Sequence, residues 1–554
     1  MKKLILLLAL CGVVAAGCSK THSAHKPKGT SYETNQDAEA ARLAIYESML
    51  ENLGSGSFRA LFNAMGDDVY IGGRDKDDNP ALNELHSFRY TADNPLIADA
   101  YKGLYSVINV ANLAIDHFKD GLPGGIVTDT TQLVVAEAKG LRALCYLYLG
   151  IAWGTPPIVD HVLKASEKPG NAASRDEVWN FIVDDIDEAL PYLKEREGKD
   201  DKDGAARMTS GAAYTIKGKA LLWKGDYDEA FNAFREVIES EKYDLTGGWQ
   251  MGDCFHESGI GNCEKVFEIC INGAPHEYSG SPDNFYWLCN WCSDNMILPL
   301  GEGSTMLSTG NGAFNPSEKF IDRFYSNDGK SYRFDSWVKG YYDILNLPYA
   351  SDGGSPVTGA SDPNRGIINP EGLYANCGWF MWKFTPKVED FSSGKRTLLL
   401  FSYPEVLLMY AESALQCAME NDAKRRINNL QERAGSRTVS PYPTLDVVKQ
   451  EKMFECWMQG LRFFDLVRWG DTDQLAYNGK SYPSFQDRFF FTDKEVEETG
   501  QSKTYVHTGY VNKNDAGWCL EKYPDLGFEE KHKLLPFPSS AIKANKNLVQ
   551  NPGW

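Results

Sequence analysis

The stretch EKMFECWMQGLRFFDLVRWGD, Glu451–Asp471, sets five aromatic rings among charges of both signs. On a helix, Phe454, Trp457, Leu461 and Phe464 recur at spacings of three, four and three, which places them on one stripe facing a core. Arg462, Asp465 and Arg468 stand three apart, the spacing at which ion pairs run along a neighbouring face. Glu451 and Glu455 are one turn apart, as a catalytic carboxylate pair on a helix would be. Two arginines beside them hold both ionised, however, and a general acid must carry a proton. The stretch therefore reads as a frame helix over residues 446–469, and function has to be sought elsewhere in the chain.

Around it the sequence is mainly α and repetitive. In AAYTIKGKALLWKGDYDEAFNAFREVIES small residues fall at Gly218 and Ala230, with Phe234 four further on. Tyr214 and Leu221 take the large positions of the first helix, and Gly225-Asp226 makes the turn. These are the offsets of a tetratricopeptide repeat, in which small residues let two helices approach and an aromatic fills the gap. The offsets return at Ala411, Ala423 and Ile427. A third pair, AEAKGLRALCYLYLGIAWG and SRDEVWNFIVDDIDEALPYL, is split by an insertion over 154–173, and Ser174 with Glu177 is a capping box for its second helix. A fourth pair falls at 36–53 and 96–118. The expected fold is four irregular helical hairpins (near 36–118, 133–194, 208–240 and 398–435) with long loop-rich insertions and a few short strands, all in one domain over 36–554.

The first residues lie outside that domain. Lys2 and Lys3 precede the uncharged, mostly apolar run Leu4–Ala16, the two leading parts of a signal peptide. Ala15, Ala16, Gly17 and Cys18 resemble a bacterial lipobox, which makes 1–17 a leader and Cys18 the lipidated residue of the mature chain. Polar residues 18–35 read as a flexible tether. The net charge of −19 makes nucleic acid an unsuitable partner, since phosphate backbones are gripped by clustered Lys and Arg. Cys254 with Cys263, and Cys289 with Cys292, are pairs that an exported chain can oxidise; two isolated pairs do not make a zinc site.

The opening stretch resembles the hallmark helix of the SusD/RagB family of outer-membrane nutrient-binding lipoproteins. The resemblance extends through AEAKGLRALCYLYLGIAWGTPPIV, GKALLWKGDYDEAFNAFREVI, LLLFSYPEVLLMYAESAL, RINNLQERAG and LLPFPSSAIKANKNLVQNPGW. Lys20, Lys26 and Lys28 stand where many members carry acidic residues associated with surface export. The resemblance implies a non-catalytic, SusD-like fold anchored in the outer membrane and facing outward. It implies a glycan ligand, or in some members a peptide, and a SusC-like TonB-dependent transporter as partner. Repeats face the transporter in this family, and the insertions form the ligand surface, here near 66–90 and 250–395.

A sugar offers C–H faces rimmed by hydroxyls, so its site needs exposed rings beside hydrogen-bonding groups. DNFYWLCNWCSDN, residues 283–295, meets this best: Trp287 and Trp291 are four apart, and Tyr286, Asn290 and Asp294 are polar neighbours. Second is the Gly- and Asp-rich loop at 66–79, with Asp67, Asp68, Tyr70 and Arg74 as groups for hydroxyls. Third is ANCGWFMWKF, where Phe380, Trp382 and Phe384 alternate as a buried strand face and leave Trp379 as the exposed ring. Asp75, Asp77 and Asn79 begin like a calcium loop, but Pro80 stands where glycine belongs and His86 where glutamate belongs. No cofactor is expected, and calcium is the one metal for which the sequence offers a partial motif. Two other classes are distinguishable by experiment. A surface glycoside hydrolase needs two carboxylates about 5–9.5 Å apart across a cleft and would release reducing ends. A repeat adaptor would bind a partner chain without glycan.

Overall fold

The computed structural model describes residues 32–54, 56–73, 77–272, 284–289, 296–297, 311–340, 343, 348–350, 356–358, 367–368, 379–385, 395–475 and 527–554. The leader, Cys18 and most of the tether fall outside these residues.

The chain is mainly helical, and most long helices start at a side chain able to cap them. Thr34 closes a capping box with Asp37 ahead of α1 (Asn35–Asn52). After α2 (Gly56–Asn63), β1 (Val69–Ile71) and α3 (Pro80–His86), Asn94 caps α4 (Pro95–Phe118). Thr128 caps α5 (Asp129–Trp153), and Ser174 accepts from the Glu177 amide at the start of α6 (Arg175–Ala189). The single turn α7 (Lys202–Ala205) precedes α8 (Ser210–Lys224), capped by Thr209, and α9 (Tyr227–Glu239). Further on come β2 (Lys265–Asn272), α10 (Asn284–Cys289), β3 (Met296–Ile297), β4 (Phe314–Pro316), α11 (Glu318–Asp328) and α12 (Tyr332–Trp337). Short strands follow: β5 (Val338–Gly340), β6 (Pro348–Ala350), β7 (Pro356–Thr358), β8 (Ile367–Ile368), β9 (Trp379–Met381) and β10 (Lys395–Ser402). The last helices are α13 (Tyr403–Gln416), α14 (Glu420–Ala434), α15 (Leu445–Glu455), α16 (Arg462–Trp469) and α17 (Ser539–Ala544).

Successive helices stack: α1 on α4, α4 on α5, α5 on α6, α6 on α8, α8 on α9, α9 on α13 and α13 on α14. The close approach has the cause read from the sequence. A Cβ at Gly218 would lie 2.6 Å from the Phe234 ring, so only glycine admits α9 against α8 there. Ala230, Phe234, Ala411, Ala423 and Ile427 are all buried. In the split hairpin, Arg142 of α5 grips Asp185 of α6 through two hydrogen bonds of 2.7 and 2.8 Å, and its Nη1 also donates to the Asp160 carbonyl of the insertion. The strands serve the insertions. β2 pairs antiparallel with β10, which brings the two ends of the central insertion together before α13.

The opening stretch is not one helix. α15 and α16 are separated by a turn in which Met458 has φ 60° and Gly460 φ 80°. The Gly460 amide donates to Asn63 Oδ1 at 2.8 Å, and a Cβ at 460 would stand 3.0 Å from the Phe62 Cβ. The left-handed backbone and this close approach both call for glycine. The stripe survives the break: Phe454, Trp457 and Phe464 are buried, and Leu461 packs half-buried beside them. The ion pairs differ more. Arg468 does reach Asp465 at 2.7 Å, but Arg462 turns away to Asp67, and Glu451 and Glu455 are held by Arg333 and Arg433. Burial alone would push the Glu455 carboxyl up; Arg433 and Arg333 outweigh it and hold it below its ordinary value.

Candidate functional site

Segments from all three candidate stretches meet at one place. β1 pairs antiparallel with β4, with Tyr70 opposite Asn315. α10 packs on α2 and on β4, and its Leu288 carbonyl accepts from the Ala313 amide at 2.8 Å. β9 lies against β4 and pairs with β5. Phe285 of α10 is the pin: it is buried, 5.8 Å from the Phe314 ring and 5.9 Å from the Phe384 ring, with the Arg59 guanidinium 5.6 Å over its face. Phe285 and Phe384, far apart in sequence, thus share one aromatic floor with Phe314, whose strand β4 also pairs with β1.

The side chains chosen from the sequence do not all reach its surface. Asp67, Asp68, Tyr70 and Trp379 are buried at 1, 4, 2 and 3% exposure, so none offers itself to a ligand. Asp67 is taken by the frame: Arg462 approaches at 2.6 Å and Lys319 at 2.5 Å. Tyr70 sits on a strand buried throughout, edge-on to His86. Trp379 packs edge-on against Phe334 at 5.2 Å. The alternation argument failed because β9 is buried on both faces, as a strand between two layers is. Trp382, assigned to the buried face, is instead the half-buried ring of that stretch, with the Lys339 ammonium 5.9 Å over it. Tyr286 and Trp287 lie on α10. Arg74, Asn290, Trp291 and Asp294 lie outside the described residues.

Beneath the floor two adjacent carboxylates are treated in opposite ways. Burial would raise the Asp67 carboxyl, but Arg462 and Lys319 outweigh it and hold it well below the usual range. Burial, and then the charge of Asp67, push Asp68 up to about 7. A carboxyl whose pKa is higher in the folded than in the unfolded chain stabilises most below the unfolded value. That contribution is lost as pH rises through the folded one. Asp68→Asn is therefore expected to leave the melting temperature unchanged near pH 4 and to add about 1–2 kcal/mol of stability at pH 8. Thermal melts at the two pH values check this; a variant less stable than the parent at pH 8 contradicts it.

Other candidate chemistry is occupied by structure. Asn79 donates to the Gly72 carbonyl at 2.9 Å and to Asn311 Oδ1 at 2.7 Å, which fixes the loop that began like a calcium site. Among the described residues no three His, Cys, Asp or Glu side chains gather as a metal site. Cys254 and Cys263 are free thiols, Cys289 is a buried one, and Cys292 lies outside the described residues. Among the described residues no helix is long and apolar enough to cross a membrane.

Comparison with known proteins agrees with this architecture. A SusD-like protein of Bacteroides ovatus is 24% identical over 584 aligned residues, covering 100% of this chain and 98% of that one. A SusD-like protein of Formosa agariphila is 22% identical over 481, covering 80% and 84%. Among solved structures, surface glycan-binding protein A of Bacteroides thetaiotaomicron in complex with laminarihexaose superposes with a TM-score of 0.70 at 22% identity. The match covers 93% of this chain and 99% of that one. A laminarin-binding SusD-like protein gives 0.68 at 20%, covering 94% and 100%. The family model described as the SusD family matches residues 264–554, from the last residue before β2 to the end of the chain, and the chain belongs to that family.

Proposed function

We propose that this protein is an outer-membrane lipoprotein that binds a glycan on the surface above α10, β4 and β9 and delivers it to a SusC-like TonB-dependent transporter, without cleaving it. The observation that carries the reading is the convergence of segments from three separately chosen stretches on β4, where Phe285 pins α10. Such a floor holds the short α10, which bears Trp287, on a rigid support, as a stacking platform requires. Family membership and the sugar-bound relative support the ligand class. The non-catalytic role is supported by the state of the carboxylate pairs already described. Asp67 is committed to Arg462 and Lys319, and Glu451 and Glu455 to Arg333 and Arg433.

The test is a glycan and peptide array on the mature chain, laminarihexaose included, followed by titration of the best ligand. Trp287→Ala/Trp291→Ala is expected to weaken glycan binding at least tenfold, about 1.4 kcal/mol, with the fold intact. A folded double variant of unchanged affinity, or an array that lights up with peptides alone, overturns the reading. Anchoring is tested separately. Mild detergent extraction is expected to recover the chain with a TonB-dependent barrel, and Cys18→Ala to shift it to the soluble fraction. A lipid-labelled Cys18→Ala chain refutes the lipobox assignment.

A further inference from the structure

Three exposed aromatic rings have no part in the surface above α10. Trp249, in the 3₁₀ helix Gly248–Phe255, is 73% exposed, Tyr332 at the start of α12 is 56% exposed, and Tyr325 of α11 is 37% exposed. Adjoining exposed rings mark a surface that meets a partner. Tyr332 is wedged in a notch between two glycines. A Cβ at Gly248 would stand 2.6 Å from its Cδ2 and would collide with the Arg433 carbonyl; a Cβ at Gly435 would stand 3.0 Å from the same Cδ2. Trp249 is the residue next to that notch, and its Nε1 lies 3.2 Å from where a Cβ at Gly247 would be. On the other side, Arg437 follows Gly435 by two residues. Its guanidinium lies 5.5 Å over the Tyr325 ring and against the bare backbone of Gly329, where a Cβ would stand 2.7 Å from Nη2. Trp249, Tyr332, Arg437 and Tyr325 thus form one patch. Tyr332 and Arg437 are fixed against backbone rather than dangling, which spares part of the cost of ordering them when a ligand binds.

The polar atoms of the patch are uncommitted. Among the described residues the two tyrosine hydroxyls, Trp249 Nε1 and the Arg437 guanidinium make no hydrogen bond or ion pair. The flanking charges are closed on themselves: Lys330 pairs with Asp343 at 2.7 Å, and Lys339 with Asp335. What remains is rings with polar tips and one forked donor. Ring faces take the C–H face of a sugar, and guanidinium N–H groups take its hydroxyls. The uncompensated charge among these groups is the cation of Arg437, which does not draw a cationic partner, and the net charge of −19 repels a polyanion. We propose that this patch is a second carbohydrate surface, which takes neutral sugar units of a polymer, with Trp249 and Tyr332 stacked on sugar faces and Arg437 donating to hydroxyls. The inference rests on the glycan-binding reading but not on the surface above α10. Two surfaces that engage one polymer hold it more tightly than either does alone.

The test is affinity gel electrophoresis of the mature chain through laminarin, starch, xylan and galactomannan, with polygalacturonate as the anionic probe and light scattering on the same samples. At least one neutral polymer is expected to retard the parent, and more strongly than polygalacturonate does. Trp249→Ala/Tyr332→Ala is expected to weaken that binding roughly fivefold or more, and Arg437→Gln roughly twofold, with the melting temperature unchanged. Trp249→Ala alone, at the most exposed ring, carries the same direction should Tyr332→Ala disturb the notch. Trp287→Ala/Trp291→Ala is expected to leave residual retardation, which disappears when Trp249→Ala/Tyr332→Ala is added. If Trp249→Ala/Tyr332→Ala and Trp249→Ala both bind as the parent does, this proposal falls and the surface above α10 stands. A parent retarded by none of the polymers also overturns it, and the glycan array then judges the glycan-binding reading separately. Stronger retardation by polygalacturonate overturns it in favour of an acidic glycan. A parent dimer that Trp249→Ala/Tyr332→Ala makes monomeric overturns it in favour of a second copy of the chain.

Discussion

Arg333→Met is expected to destabilise the protein by about 3–5 kcal/mol, the cost of removing one partner from a buried ion pair. The side chain is fully buried and serves three carboxylates. It takes Asp328 in a two-pronged grip at 3.0 Å for both contacts, reaches Glu455 at 3.0 Å and also pairs with Glu451. The rings of Phe324 and Phe454 flank its guanidinium, each 5.7 Å away. Without the arginine, Glu455 keeps Arg433 at 2.7 Å. Among the described residues Glu451 keeps only the Gln431 amide at 3.2 Å, and Asp328 only neutral donors such as Ser331 and Ser436. Two buried carboxylates then have no cation, and each must take up a proton or remain charged at high cost. The deficit should therefore be smaller at pH 4 than at pH 8, because protonation relieves it. Arg333→Lys keeps the charge but loses the planar fork, and should fall between. Denaturant unfolding at both pH values measures this; a loss below about 1 kcal/mol for Arg333→Met would show that the cluster contributes little. The cluster bears on function because Asp328 and Arg333 belong to the insertion and Glu451 and Glu455 to α15 of the frame. Arg333 thus ties the insertion to α15.

Local pattern carried much of this fold. The twelve-residue offset from Gly218 to Ala230, with Phe234 beyond it, names a contact between neighbouring helices, and that contact forms. Ser174 marks the start of α6 because a cap acts within one turn. What escaped depends on partners distant in sequence. Glu451 finds Arg333 across 118 positions, and Arg462 finds Asp67 across 395, so no helical spacing could disclose either pair. The break between α15 and α16 is enforced by Asn63 and Phe62 of another helix, although Gly460 was a visible local hint. Trp379, Tyr70 and Asp67 were misplaced for a related reason. A loop rich in glycine and aspartate, or an alternating strand, looks surface-bound until a second layer covers it, and here β4 lies against both β1 and β9. That same layering brought the candidate stretches together, so their meeting was legible only as separate guesses.

Trp457→Ala is expected to cost about 3–5 kcal/mol, as truncation of a fully buried large aromatic does. The ring is 1% exposed and lies stacked on Phe320 at 4.7 Å with 19° between planes. Its Nε1 donates to the Asp68 carbonyl at 3.3 Å, and its own carbonyl accepts from Lys383 Nζ at 2.8 Å. Alanine would leave a cavity between the turn and α11 and would strip the Asp68 carbonyl of that donor. Trp457→Phe keeps most of the area and loses the hydrogen bond, so its cost should be nearer 1 kcal/mol. Unfolding curves for both variants rank the two contributions. Because Asp68 directly precedes β1, and β1 pairs with β4, the damage should spread toward the candidate surface. Glycan affinity of the folded fraction is expected to fall only slightly, however, since Trp457 itself never reaches solvent. A variant that melts normally yet loses the glycan would make the opening stretch part of the ligand site. The stacked Phe320 and the buried indole argue that it is instead the post on which that site is mounted.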